Sequence, residues 1–436
     1  MTFNEAKAYL LARARAMSLE VEVLATESRE LTLNSFGGNL SEITRASQGG
    51  VGVRVVVGGR FGYAYSEEKT EEALDWILHE ARENAELSSA DDGFLPEGSS
   101  VGHRDLISEG LSAPLAEKGE RATKLEQALR EDERTKQVWI THYTEREVLE
   151  ELASTNGAEG GYRNGFAGLI SSLVMQEGES IKQGVDISVE KEFHALDPMT
   201  TAQKMIETTA RHLGARPLKT GRYCAYLEPR VVAQLLGVLM RALSGKALIE
   251  GKSRFADRLG EEVASDRITL VDDPTLSDGL ASRPFDSEGT PARAVTLIER
   301  GVLRSFLHNS YTARKAGHEN TGHASRSYRS TLGVGFSNLS LQTGEGVDLV
   351  DGVLVTDLLG LHAGANPITG DLSLQAFGIK IEGDERYPVE NFVIAGNLFE
   401  LLKRVSAVGD ESEWHFTAGA IGAPMLEIES LSFAGA

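Results

Sequence analysis

The chain has 436 residues, 41% of them hydrophobic and 25% charged, ordinary values for a globular protein able to bury a large core. That length predicts two domains of roughly 200 residues each. Lys plus Arg number 44 against 65 for Asp plus Glu, a formal charge of -21. Such a surface repels phosphate backbones and anionic lipid, which excludes nucleic acid or a membrane as the expected main partner.

The first residues, Met1-Thr2-Phe3-Asn4-Glu5, carry neither a basic n-region nor an apolar h-region. They fit a helix start instead, with Thr2 as N-cap and Glu5 completing a capping box. Ala6, Leu10, Ala14 and Met17 then recur at helical spacing. Strand-like runs follow at 19–25, 30–34, 52–57 and 61–65, and Gly58-Gly59 joins the last two as a hairpin. A second helix is expected from Thr70, with Leu74, Ile77, Ala81 and Ala85 on one face, and a third over 112–130. Strands resume at 138–143 and 147–153, turn at Asn156-Gly157, and continue at 166–176 and 181–189. Asp197-Pro198 supplies an N-cap and an N1 proline for a helix running to Leu213 and closed by Gly214.

Gly214-Ala215-Arg216-Pro217 is the expected domain boundary, giving an N-terminal domain over 1–215 and a C-terminal one over 221–436. The second opens with a strong helix, Pro229 to Ser244, closed by Gly245. Short strands dominate the rest, at 268–272, 294–299 with 302–307, 371–381, 389–395 and 425–433. Grouped helices and antiparallel strands without strict βαβ alternation predict an α+β fold. The first domain is then α+β with antiparallel strands. The second is strand-rich and carries one long helix. No apolar run approaches the roughly 20 residues that span a bilayer, so a cytoplasmic location is expected.

Few residues offer chemistry. The single Cys224 excludes an internal disulfide and a Cys-rich zinc module, and its apolar setting (223–227) suits a buried structural thiol. Gly49-Gly50-Val51-Gly52 lacks the Gly-Lys-Ser/Thr end of a phosphate loop, so close backbone packing is its expected use. Asp272-Asp273 before Pro274 reads as a structural turn. The segment His318-Glu319-Asn320-Thr321-Gly322-His323 is a literal His-Glu-x-x-x-His. Two imidazoles can bind zinc, and a neighbouring Glu can act as general base. Yet residues five apart on an α-helix point about 140° away from each other. With Gly317 and Gly322 and no apolar periodicity, the segment reads as a loop.

Several stretches together resemble the TldD/TldE (PmbA) family. They are GVGVRV (50–55), RFGYAY (60–65), FADRLGEEVA (255–264), LVDDP (270–274), SRPFDSEG (282–289), LHNSYTARKAG (307–317), TGHA (321–324), GNL (396–398) and GAP (422–424), in an order that covers nearly the whole chain. The resemblance implies a two-domain fold. It also implies two kinds of member. TldD-type chains carry His-Glu-x-x-x-His on a helix of the C-terminal domain, plus a cysteine near the C-terminus, as zinc ligands. TldE-type chains share the fold, lack these ligands and pair with a TldD-type chain. The complex cleaves unfolded or flexible peptides.

In TldD-type chains the motif precedes a Gly-x-Ser-x-Phe segment, matched here by Gly251 to Phe255. Counting back by the family spacing puts the motif on Leu235 to Met240, with Leu235 and Met240 at the ligand positions and Leu236 in place of the Glu. The resemblance therefore implies a TldE/PmbA-type, non-catalytic subunit with no cofactor of its own. Zinc is expected in a TldD-type partner, and a self-dimer is also compatible. Two other readings stand beside it. One is a self-sufficient metallopeptidase using His318, His323 and a third ligand such as His308 or Glu319. The other is a homo-oligomeric scaffold.

Overall fold

The structure, a computed structural model, describes residues 1–416 and 419–435. Its fold is mixed α+β, built on two large sheets drawn from the two halves of the sequence. The first sheet holds β1 (Glu20–Phe36), β2 (Asn39–Val57), β3 (Arg60–Ser66), β4 (Ser100–Asp105), β5 (Thr135–Ser154), β6 (Glu159–Glu177) and β7 (Ser180–Glu190). Their order is β3-β2-β1-β5-β6-β4, with β7 also on β6. Four helices serve this half: α1 (Phe3–Ala16), α2 (Glu71–Leu87), α3 (Leu115–Glu131) and α4 (Pro198–Ala210).

Local signals set the ends of these elements. The Thr2–Glu5 capping box is formed, Thr70 caps α2, and Asp197 caps α4 ahead of Pro198. Gly58 and Gly59, at φ of 56° and 74°, make the turn between β2 and β3, a conformation L-residues avoid. Val21, Val23 and Ala25 of β1 pack with α1 and α2, and Leu33 of the same strand packs with α3 and α4. Residues of one parity share a face, so the helices lie on one side of the sheet. The opposite face, through Leu24, meets Phe285 of the second half.

The runs expected at 19–25 and 30–34 are one strand, and so are those at 138–143 and 147–153. β1 pairs with β2 along nearly its whole length, and β5 pairs with β6 in the same way. That continuous ladder carries polar stretches that have no strand signal of their own.

The second sheet comprises β8 (Arg216–Pro217), β9 (Gly221–Leu227), β10 (Leu270–Asp272), β11 (Val295–Glu299), β12 (Val302–Leu303), β15 (Asn338–Leu341), β16 (Gly352–Leu359), β17 (Asp371–Glu382), β18 (Glu385–Asn397), β19 (Val405–Phe416) and β20 (Ala420–Ala434). A separate small pair is made by β13 (Ala324–Ser325) and β14 (Gly333–Val334). Its helices are α5 (Pro229–Ala242), α6 (Gly245–Ile249), α7 (Ser310–Ala316), α8 (Leu361–Gly364) and α9 (Leu398–Lys403). β20 pairs with both β9 and β18, so β20-β9-β16-β17-β18 form a closed ring that hides their edges. Gly245 does not close α5. It begins α6, because the Ser244 hydroxyl accepts from the Lys246 amide and restarts the helix.

The two halves meet through backbone contact and buried charge. A Cβ at Gly52 would run into the Tyr328 backbone and one at Gly50 into the Tyr328 ring, so these two glycines let the second half approach β2, the close packing their pattern suggests. Beside them Arg54 is fully buried between Glu22 (2.9 Å) and Glu288 (2.8 Å), and Arg326 reaches Glu22 from the second half (2.8 Å).

Candidate functional site

Helix α5 is the element that the zinc question concerns. Pro229 at its first turn needs no hydrogen-bond partner for a missing N–H, and Glu228 before it is held by a two-pronged ion pair with Arg211 (2.6 and 2.7 Å). The helix buries Val231, Val232, Ala233, Leu235, Leu236, Leu239, Met240 and Ala242. Leu235, Leu236 and Met240 all join the main hydrophobic core of the second half. Two leucines and one thioether give no nitrogen or oxygen donor, so this set does not fit zinc.

The uncovered side of α5 carries Arg230 and Gln234. Arg230 lies 3.8 Å from Asp357, and Gln234 Oε1 has no partner among the described residues. Nearby on β19, burial pushes His415 below its usual value, and its Nε2 also lacks a partner. These are hydrogen-bonding groups. They supply no activated nucleophile.

The loop after α7 holds the other candidates. Asn309 caps this short helix and Gly317 ends it at a φ of 69°. His318 to Gly322 then run as irregular backbone, the loop that the sequence suggests. His318 is half-buried, stacked on Phe306, with Nδ1 3.0 Å from His308 Nε2. Burial first, then His318 and His323, push His308 down to about 4. Glu319 points to solvent beside Arg293.

His323 is fully buried. Its Nε2 faces the Asp272 carboxylate at 2.8 Å and its Nδ1 faces the Thr321 carbonyl at 2.8 Å. Both ring nitrogens thus face the protein's own oxygens inside the core, and neither is turned toward an open position for a metal. Asp272 also accepts from the Ser337 amide and hydroxyl. The Asp272–His323 pair escapes a reading of the sequence because its members are 51 residues apart. Asp273 makes the local turn instead, accepting from the Thr275 amide and hydroxyl. No group of three or more His, Cys, Asp or Glu side chains is arranged to hold a metal ion among the described residues. Cys224 is half-buried on β9, more open than its apolar neighbours suggest, and burial raises its thiol, which disfavours the thiolate.

Three family models account for most of the sequence. PmbA/TldA metallopeptidase domain 1 matches residues 21–85, the central domain matches 109–213, and the C-terminal domain matches 220–435. The chain belongs to the PmbA/TldD metallopeptidase family. It is 26% identical to metalloprotease PmbA of Escherichia coli O157:H7 over 98% of this chain and 95% of that relative. A Thermotoga maritima structure described as a modulator of a DNA gyrase has a TM-score of 0.88 at 26% identity, covering 99% of this chain and 100% of that one. TldE from Thermococcus kodakarensis has a TM-score of 0.84 at 23% identity, covering 99% of this chain and 100% of that one, a likeness of fold. No helix among the described residues is long and apolar enough to cross a membrane.

Proposed function

We propose that this chain is the non-catalytic, TldE/PmbA-type subunit of a heteromeric zinc peptidase. A TldD-type partner holds the metal, and this chain helps wall a channel that admits unfolded or flexible peptides in the cytoplasm. The observation that carries the reading is the packing of Leu235, Leu236 and Met240 into the core. The resemblance implies, through its spacing from Gly251 to Phe255, that the zinc motif would fall at those positions, and apolar groups there can neither hold a divalent cation nor act as general base. Strand-rich folds suit such a role, because extended peptides bind through main-chain hydrogen bonds with little demand on sequence.

The reading in which His318 and His323 carry a metal has less support, since His323 is sealed between Asp272 and Thr321. A homo-oligomeric scaffold has no observation in its favour. The test is to purify this chain and a TldD-type chain from the same genome, alone and mixed. Zinc content, size-exclusion profile and cleavage of a flexible peptide are then compared. The expected result is no stoichiometric zinc and no cleavage by this chain alone, and chelator-sensitive cleavage by a co-eluting mixture. Chelator-sensitive cleavage by this chain alone, or about one zinc per chain after dialysis, overturns the reading.

A further inference from the structure

β3 is the outer strand of the first sheet, paired with β2 alone among the described residues. In an antiparallel pair the amide and carbonyl of a residue point to the same side, and that side alternates along the strand. The Phe61 carbonyl accepts from Ser88 Oγ and the Tyr63 carbonyl from Asn84 Nδ2, both at 3.1 Å. Phe61, Tyr63 and Tyr65 therefore present the free edge. Side chains at the end of α2 cap the first two carbonyls. Tyr65, next in the series, lies beyond these caps.

A groove of about 560 Å³ opens at this uncapped end, between β3 and α2. Its walls include Tyr65, Trp76, Glu67, Glu68 and Glu80. Trp76 is 57% exposed and Tyr65 45%, unusual for large aromatic side chains on adjoining elements. Glu67 is committed to Tyr328 and Arg329. Glu68 and Glu80 form no ion pair among the described residues. One concave site thus combines a free strand edge, the exposed Trp76 ring and two uncommitted carboxylates, while the Tyr65 ring packs edge-on against Tyr328. Aromatic faces attract ammonium and guanidinium groups, and carboxylates complete their pairing. An acidic side chain would meet repulsion there.

We propose that this groove takes an extended peptide segment as a short added strand at the Tyr65 end of β3, with a lysine or arginine side chain between Trp76 and the carboxylates of Glu68 and Glu80. The choice of a peptide as occupant rests on the peptide-handling reading above. The groove belongs to the first sheet and α5 to the second, so its role is to anchor a basic segment of the peptide.

The test uses the isolated full-length chain and fluorescein-labelled octapeptides, blocked at both ends and made of Ser, Thr and Val. One position carries Lys in the first peptide and Glu in the second. Anisotropy should show the Lys peptide binding about tenfold tighter. The preference should fall below about twofold in Glu68→Gln/Glu80→Gln, with far-UV circular dichroism unchanged. Trp76→Ala should weaken the Lys peptide several-fold. Lysine amide should displace it only at concentrations far above those of the unlabelled peptide, since it lacks an extended main chain. Equal binding of both peptides, a preference that survives the double substitution, or displacement by lysine amide as readily as by peptide overturns the proposal. Cleavage by the mixed subunits without a Lys preference would remove the groove and leave the subunit reading. A Lys preference with no cleavage by any mixture would do the reverse.

Discussion

Replacing Arg54 with Met should cost more stability than any surface change, and the reason lies in charge balance. Arg54 and Arg326 face Glu22 and Glu288 in a fully buried set that sums to zero. Burial alone would pull the Arg54 guanidinium down, and the two carboxylates more than reverse that. At N···O distances of 2.9 and 2.8 Å, each attraction is about 6 kcal/mol for an effective dielectric near 20. Desolvating the ions takes back several kcal/mol each, so the intact set contributes little net. Removing one member is different. Methionine keeps an apolar side chain of similar length but loses the guanidinium that lies over the Phe61 ring, and it leaves the remaining set one negative charge in excess. Glu22 keeps Arg326, while Glu288 keeps only the Ser310 amide and hydroxyl. The expected loss is about 3–5 kcal/mol. Urea unfolding at pH 7, followed by circular dichroism and tryptophan fluorescence, should be run on Arg54→Met, Glu288→Gln and the double variant. The double variant should be more stable than the sum of the single losses implies, by about 2 kcal/mol. A loss under about 1 kcal/mol for Arg54→Met, or strict additivity, would refute the reasoning.

Two further outcomes follow from burial. Leu235→Ala should destabilise the chain by about 2–5 kcal/mol, because Leu235 lies in the core that α5 closes, and calorimetry should show a lowered Tm. A change within the error of the wild type would mean that Leu235 is not packed as described. Glu150 is buried, and burial first pushes its carboxyl up to about 7, with Arg283 and Arg326 pulling it down. A raised folded value means a contribution that is complete below the unfolded value of 4.5 and is lost as pH rises through about 7. Glu150→Gln should therefore gain about 3 kcal/mol on the wild type between pH 4.5 and 8. Parallel urea midpoints across that range would contradict this.

What could be read from the residues was local. Thr2 with Glu5, Gly58-Gly59, Thr70 and Asp197-Pro198 all act on neighbours within a few positions, and each forms the cap or turn it suggests. The helix over 229–244 declared itself through apolar periodicity and a proline at its start, and it runs Pro229–Ala242. Strand lengths were hidden, because the polar stretch of β2 from Asn39 to Ser47 is held by the ladder to β1. The buried polar pairs were hidden too. Glu22 and Arg326 are separated by 304 positions, so only the fold brings them into contact. The histidine segment shows the limit most clearly. His318 and His323 suggest a metal pair, and yet one stacks on Phe306 while the other is locked to Asp272.

The place of β20 in the second sheet bears on how the chain is made. It pairs with β9, β15, β18 and β19, and it follows all of them in sequence. On a ribosome, β9 emerges roughly 200 residues before the strand that completes it, about 10–40 s at ordinary elongation rates. The first sheet needs no residue beyond β7 for its ladders and can form during that interval. The five-strand ring cannot close until β20 arrives, and until then β9 and β18 expose unpaired edges. Nascent chains halted before residue 420 should therefore be captured by holdase chaperones, and those halted after 434 should resist protease once released.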